Sequence, residues 1–201
     1  MVGIPKNGGI VAAYRLASRS FPNRKIEVEG DSAKVVPIPG YEGEVDKNPY
    51  ISYTCLRVIN KNSILVANGT HLDQIYGRIT SGASASNAIP HVLEEMGSED
   101  DAYKTPRIAG FASPTRLLLG VITEKGLIVK SFQAKKGMGY YVATYQKTDP
   151  MKNLVKNLDA RSADDVAKLV HGGSNFKHFS HVIATTAAFI CDWKIEVSSF
   201  P

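Results

Sequence analysis

The chain has 201 residues, 43% of them hydrophobic, which is enough to close a substantial core as one domain. Its 24 Lys and Arg against 19 Asp and Glu give a formal charge of +5, with the basic residues scattered singly; this suits a small phosphorylated ligand and excludes the dense footprint of a nucleic-acid binder. No apolar run approaches the roughly 20 residues of a membrane helix, the opening Met1-Val2-Gly3-Ile4-Pro5-Lys6 lacks the regions of a signal peptide, and two distant cysteines, Cys55 and Cys191, make no disulfide framework, so a cytoplasmic protein with reduced thiols is expected.

Asn7-Gly8 is the strongest short hairpin signal in the chain. Only six residues precede it, so the strand pairing with 10–16 either is a short one starting at Met1 or belongs to a longer chain. Period-2 alternation and β-rich composition predict further strands at 34–38, 50–59, 64–67, 107–112, 117–123, 127–132, 140–145 and 193–197. Asn60-Lys61-Asn62 and Glu124-Lys125-Gly126 supply turn chemistry between consecutive strands, with Gly126 able to take a left-handed conformation, and so imply antiparallel hairpins. Helical periodicity marks 71–79, then 86–96 with Pro90 at a first turn or a kink. It also marks 162–171, where Ser162 caps, Val166, Leu169 and Val170 form one stripe, and Gly172-Gly173 terminates. The Ala-rich run 182–189 reads equally as a helix or a buried strand. Hairpins mixed with helices that do not follow every strand predict an α+β protein with two packed sheets and helices outside them. No Gly-x-Gly-x-x-Gly, phosphate-loop signature or internal repeat occurs.

Ser18-Arg19-Ser20-Phe21-Pro22-Asn23-Arg24 gathers hydroxyl and guanidinium donors beside the end of a strand, an arrangement suited to a planar anion or a phosphate. In the run that follows Asn48-Pro49-Tyr50, alternation puts Tyr53, Cys55 and Arg57 on one strand face and Ile51 off it. A cation beside a phenol lowers its pKa and turns tyrosine into a usable acid or base. Each residue also has an ordinary reading: Arg24 as a surface arginine, Tyr53 as a half-buried strand aromatic, Cys55 as a small buried hydrophobe. Asn68-Gly69-Thr70-His71-Leu72-Asp73 leads from a strand into a helix, whose N-terminal amides welcome negative charge. No third ligand at a usual spacing accompanies His71 and Asp73, and His178 with His181 reads as surface or structural, so no metal site is expected. Glu99-Asp100-Asp101, ahead of Thr105-Pro106-Arg107, is either a solvated acidic loop or the source of a carboxylate set against the basic residues of a pocket.

The tract 18–24, Asn48-Pro49-Tyr50-Ile51 with Tyr53, Cys55 and Arg57, Asn68-Gly69 with His71 and Asp73, and Thr105-Pro106-Arg107-Ile108 follow one another over most of the chain. In these motifs it resembles the archaeal-type IMP cyclohydrolases, which close the second ring of the purine in the last step of IMP synthesis. The resemblance implies a four-layer αββα sandwich like that of the N-terminal-nucleophile hydrolases, in a single domain over 1–201. It does not bring their nucleophile, because Met1-Val2-Gly3 supplies no terminal Cys, Ser or Thr. By position it implies Arg24 and Tyr53 as the catalytic pair and Glu99 as their acidic partner. Ser20, Asn23, Asn48, Cys55, Asn68, His71 and Arg107 become substrate contacts. Family members usually open with a short strand carrying Tyr-x-Gly-Arg, which this chain lacks.

The implied substrate is 5-formamidoimidazole-4-carboxamide ribonucleotide. It is closed to IMP with loss of water by an enzyme formally of the cyclic amidine hydrolase class. The same resemblance implies no cofactor, no metal, no nucleic-acid or membrane partner, and is compatible with a homo-oligomer. Two other readings stay open: an amidohydrolase of the same fold using a nucleophile such as Cys55, and a protein that binds purine ribonucleotides without catalysis.

Overall fold

The computed structural model describes residues 1–201, the side chain of Pro49 excepted. In chain order its strands are β1 (Val2–Ile4), β2 (Ile10–Ala17), β3 (Arg24–Glu29), β4 (Ser32–Pro37), β5 (Tyr53–Asn60), β6 (Ser63–Ala67), β7 (Arg107–Ala112), β8 (Arg116–Thr123), β9 (Gly126–Gln133), β10 (Met138–Tyr140), β11 (Leu154–Lys156), β12 (Val182–Cys191) and β13 (Lys194–Phe200). The helices are α1 (Glu44–Lys47), α2 (His71–Thr80), α3 (Ala85–Met96) and α4 (Ala163–Gly172).

Two antiparallel sheets result. One runs β3-β4-β5-β6-β7-β8-β9, mostly because the turns between neighbours are too short for anything but hairpins. The other collects distant segments in the order β11-β10-β1-β2-β12-β13. The partner demanded by Asn7-Gly8 is the short β1, which pairs Val2 with Ala12 of β2 on one side and with Tyr140 of β10 on the other.

Alternation along each strand sorts the core into three apolar clusters. Ile10, Ala12, Tyr14 and Leu16 of β2 join Ile64 and Val66 of β6 and Leu117 and Leu119 of β8 between the sheets. The intervening Val11 and Ala13 turn the other way and meet Val166, Ala167 and Val170 of α4. On the outer face of the seven-stranded sheet, Leu65, Ala67 and Leu118 face Leu72 and Ile75 of α2 and Ile89, Val92 and Leu93 of α3. Each fully buried Leu or Ile contributes about 1.5–3 kcal/mol, so these interfaces, rather than the turns, carry most of the stability. No helix among the described residues is long and apolar enough to cross a membrane.

Several elements differ from the sequence expectation. The run 182–189, open between a helix and a buried strand, is decided as the strand β12, held between β2 and β13 with both faces covered. Its β-branched residues suit the sheet and its alanines leave room for α4. The strand expected at 140–145 stops at Tyr140, because Ala143 N–H bonds the Lys147 carbonyl and Lys147 takes a φ of 62°, turning the chain into a loop. The strand expected from Tyr50 begins at Tyr53, after Asn48 Oδ1 accepts from Tyr50 N–H at 3.0 Å and caps a 3-10 turn at Pro49–Ile51. Pro90 sits in the second turn of α3, not the first. The edge strand β3 was not anticipated; its charged residues alternate with Ile26 and Val28, a weak half-buried pattern.

Candidate active site

A cavity of about 990 Å³ opens between the sheets. Its polar wall is made at strand ends: the tract after β2, Arg24 opening β3, Tyr53 opening β5, Asn68 closing β6, and Glu99 on the loop before β7. At these places the ladders stop and side chains face the gap between two layers, as an internal pocket requires. The loop 141–146 and the segment Phe176 to His181 complete the enclosure.

Tyr53 faces the cavity, and its hydroxyl lies 2.7 Å from that of Tyr14 on the opposite sheet. The two rings meet edge to face, with centroids 6.3 Å apart. Burial pushes the Tyr53 phenol up to about 12, although Arg24 and the Tyr14 hydrogen bond pull it down. At neutral pH Tyr53 is therefore a neutral phenol. This corrects the expectation of a phenol lowered by Arg57, which does not share its face. Pairing with β4 steps from Lys34 opposite Thr54 to Ala33 opposite Leu56, so Cys55 is the extra residue of a β-bulge and the faces exchange after it. Leu56 and Val58 continue the inner face. Arg57 turns outward, where its Nε bonds Asp73 Oδ1 at 3.1 Å and its guanidinium lies 4.9 Å from the Tyr76 ring.

The same bulge buries Cys55 in the core between the sheets and off the cavity wall. Its Sγ–H donates to the Ala33 carbonyl at 3.4 Å, and burial pushes the thiol well up, which makes it inert as a nucleophile.

Arg24 is held by its Nε, which donates to the Phe21 carbonyl at 3.0 Å, while Ser18 Oγ accepts from Phe21 N–H at 3.0 Å. These two bonds fold the 18–24 tract back on itself and bring the guanidinium to the cavity. Among the described residues its terminal nitrogens have no hydrogen-bond partner in the protein, so they are available to a ligand. Ser20 is exposed on the wall. Asn23 lies off it, its carbonyl accepting from Ile38 N–H. Asn48 lines the cavity with its Oδ1 spent on the cap.

Glu99 belongs to a buried polar cluster around Gly69. A Cβ built at Gly69 would lie 3.2 Å from His71 Nδ1 and 3.3 Å from both Arg107 Nη1 and Glu99 Oε1, so the glycine leaves these three groups room to converge, and any side chain there would crowd them. Arg107 and Glu99 form an ion pair at 3.5 Å, both almost fully buried. Burial raises the Glu99 carboxyl to about 7 against the pull of Arg107, with Asp101 raising it further and Arg24 lowering it. His71 Nε2–H donates to the Ile108 carbonyl at 2.9 Å, and burial holds its imidazole down at about 4, neutral with an unpartnered Nδ1. Asn68 lines the cavity but pins β7, donating to the Pro106 carbonyl and accepting from Ile108 N–H. Arg107 and His71 lie behind the wall that Glu99 presents, and neither lines the cavity.

Sequence reasoning missed Tyr14, Arg15, Tyr145 and the segment 176–181, all of which but Lys177 line the cavity. Tyr14 carried a signal, since it is a hydroxyl-bearing aromatic within an apolar strand stripe just ahead of the 18–24 tract. His178 and His181 reach the cavity too. At the mouth, Tyr145 OH and Thr105 Oγ1 lie 2.7 Å apart, and Thr105 is held in turn by Asp101. Among the described residues no group of three or more His, Cys, Asp or Glu could hold a metal ion.

The chain is similar in sequence to known proteins over most of its length. Residues 1–193 match the family model described as IMP cyclohydrolase-like protein. The chain is 36% identical over 197 residues to an IMP cyclohydrolase of Methanosphaera stadtmanae, covering 97% of this chain and 94% of the relative. It is also 36% identical to one of Methanocaldococcus jannaschii, covering 99% and 95%, and 39% identical to one of Methanocella arvoryzae, covering 82% and 80%. With a match from its first residue to the turn between its last two strands, the chain belongs to the IMP cyclohydrolase-like family.

Proposed function

We propose that this protein is an IMP cyclohydrolase, closing 5-formamidoimidazole-4-carboxamide ribonucleotide to IMP with loss of water. The observation that carries the reading is a single cavity walled by Arg24, Tyr53 and Glu99, three residues from separate segments, in a chain whose relatives bear that name over nearly their full length. Its architecture is a single four-layer αββα domain resembling the N-terminal-nucleophile hydrolases, a reading supported by the apolar clusters on both faces of each sheet. The substrate is a small purine ribonucleotide.

Both reacting groups sit on one molecule, so the barrier lies in orientation and proton transfer. The carboxamide nitrogen attacks the formyl carbon, the carbonyl π pair moves to the formyl oxygen, and that oxygen takes the Tyr53 proton. Arg24 steadies the resulting phenolate. The carboxamide nitrogen then gives up one proton, relayed by Glu99, which restores Tyr53. In the second half the hydroxyl leaves as water with the Tyr53 proton, and the former formamide nitrogen returns a proton to the phenolate as the ring C=N bond forms.

A general acid of this kind is worth about 10²–10⁴ in rate. Tyr53→Phe is expected to lower kcat by about that factor in a spectroscopic ring-closure assay while leaving KM within about twofold. Ring closure at the parent rate by this variant would falsify the role of Tyr53; a parent protein that forms no IMP would overturn the function itself.

A further inference from the structure

Tyr14 has no part in the scheme above, yet it enters the cavity from the sheet opposite Tyr53. The two hydroxyls are 2.7 Å apart, buried, and joined across 39 residues of sequence. Among the described residues, Tyr14 is the only hydrogen-bond partner of the Tyr53 hydroxyl. Each phenol has one hydrogen, so only one of the two can donate along their shared axis at a time. If Tyr53 gives its proton to the formyl oxygen, the hydrogen between the two phenols must be that of Tyr14.

We propose that Tyr14 is a positioning residue for ring closure. It turns the Tyr53 proton toward the cavity and donates its own hydrogen to the Tyr53 oxygen as that oxygen becomes a phenolate. The inference rests on the reading of Tyr53 as proton donor.

The surroundings support the polarity. Burial holds both phenols above their ordinary value, and the 2.7 Å hydrogen bond couples them. Arg24 heads the influences that lower Tyr53 and comes last among those acting on Tyr14. A hydrogen bond to a developing anion is stronger than one to a neutral hydroxyl. The contact therefore tightens in the transition state, which is the condition for accelerating the step rather than only binding substrate.

The test is a double-mutant cycle in the ring-closure assay with Tyr14→Phe, Tyr53→Phe and both together, with thermal unfolding of each. Tyr14→Phe is expected to lower kcat about 10- to 100-fold, with KM within about twofold and a melting temperature near the parent's. Added to Tyr53→Phe, it is expected to cost nothing more. An unchanged kcat in Tyr14→Phe overturns the proposal, as does an equal loss in both backgrounds, which would mean that Tyr14 acts on the fold or on the substrate directly. Parent activity in Tyr53→Phe overturns both this proposal and the reading it rests on, whereas loss in Tyr53→Phe with none in Tyr14→Phe overturns this proposal alone. If Tyr53→Phe falls below detection, 3-fluorotyrosine at position 53, titrated by fluorine NMR, gives the same answer. Its pKa should rise when Tyr14 becomes Phe, and a fixed value overturns the proposal.

Discussion

Burial holds the Glu99 carboxyl at about 7 while Arg107, 3.5 Å away, pulls it down. Its folded value lies above that of an unfolded carboxylate, so the stability it contributes is present at acid pH and lost as pH rises through about 7. The rate profile should inflect near neutrality, and Glu99→Gln should abolish that inflection. Across the same range the melting temperature of Glu99→Gln, relative to the parent, should climb as pH rises from 6 to 8 by about a few degrees; a pH-independent difference would show that the carboxylate is charged throughout. Residue by residue, the sequence was a mixed guide. Arg24, Tyr53, Glu99, Ser20, Asn48 and Asn68 reach the cavity wall, while Cys55, Asn23, His71 and Arg107 do not. Period-2 counting presumes an unbroken pleat, and one extra residue at Cys55 sends Arg57 to the opposite face.

Among the elements, α3 packs its side chains onto β8 at Gly120, where an added Cβ would come within 2.7 Å of Leu93 Cδ1 and 2.8 Å of Ile89 Cγ2. Gly120→Ala overpacks this contact and should cost about 1–3 kcal/mol in urea unfolding. KM should be unchanged, because the crowded face is the one turned away from the cavity. A stability equal to the parent's would mean that the helix shifts freely. Elements governed by local chemistry were readable: Ser162 Oγ does cap α4 by accepting from Asp165 N–H at 3.1 Å, and the turn at 124–126 does make a hairpin. Those whose identity depends on neighbours were not. An alanine-rich run is a good isolated helix, and only the slot between β2 and β13 makes 182–191 a strand.

Over the whole molecule, Arg15 of β2 ties the segment after α4 to the six-stranded sheet. Its Nη1 donates to the Phe176 carbonyl at 2.8 Å and its Nη2 to the Phe179 carbonyl at 3.0 Å, with the guanidinium 5.7 Å from the Phe179 ring. Lysine lacks the planar fork that sets one nitrogen on each carbonyl. Arg15→Lys should speed hydrogen exchange of the amides at 174–180 and raise KM about 3- to 10-fold with little effect on kcat, since the lost anchoring orders the wall and not the chemistry. Exchange at the parent rate would remove the clamp from the account. By itself the sequence determined the hairpins, the long helices, the two-sheet class and the motifs that resemble a cyclohydrolase, because turn chemistry, periodicity and short motifs act over a few residues. Only the tertiary structure decided which polar residues share a wall. The Tyr14 and Tyr53 hydroxyls and the Arg15 clamp each join segments distant in the chain, and such contacts are fixed by how the layers stack, not by spacing along either strand.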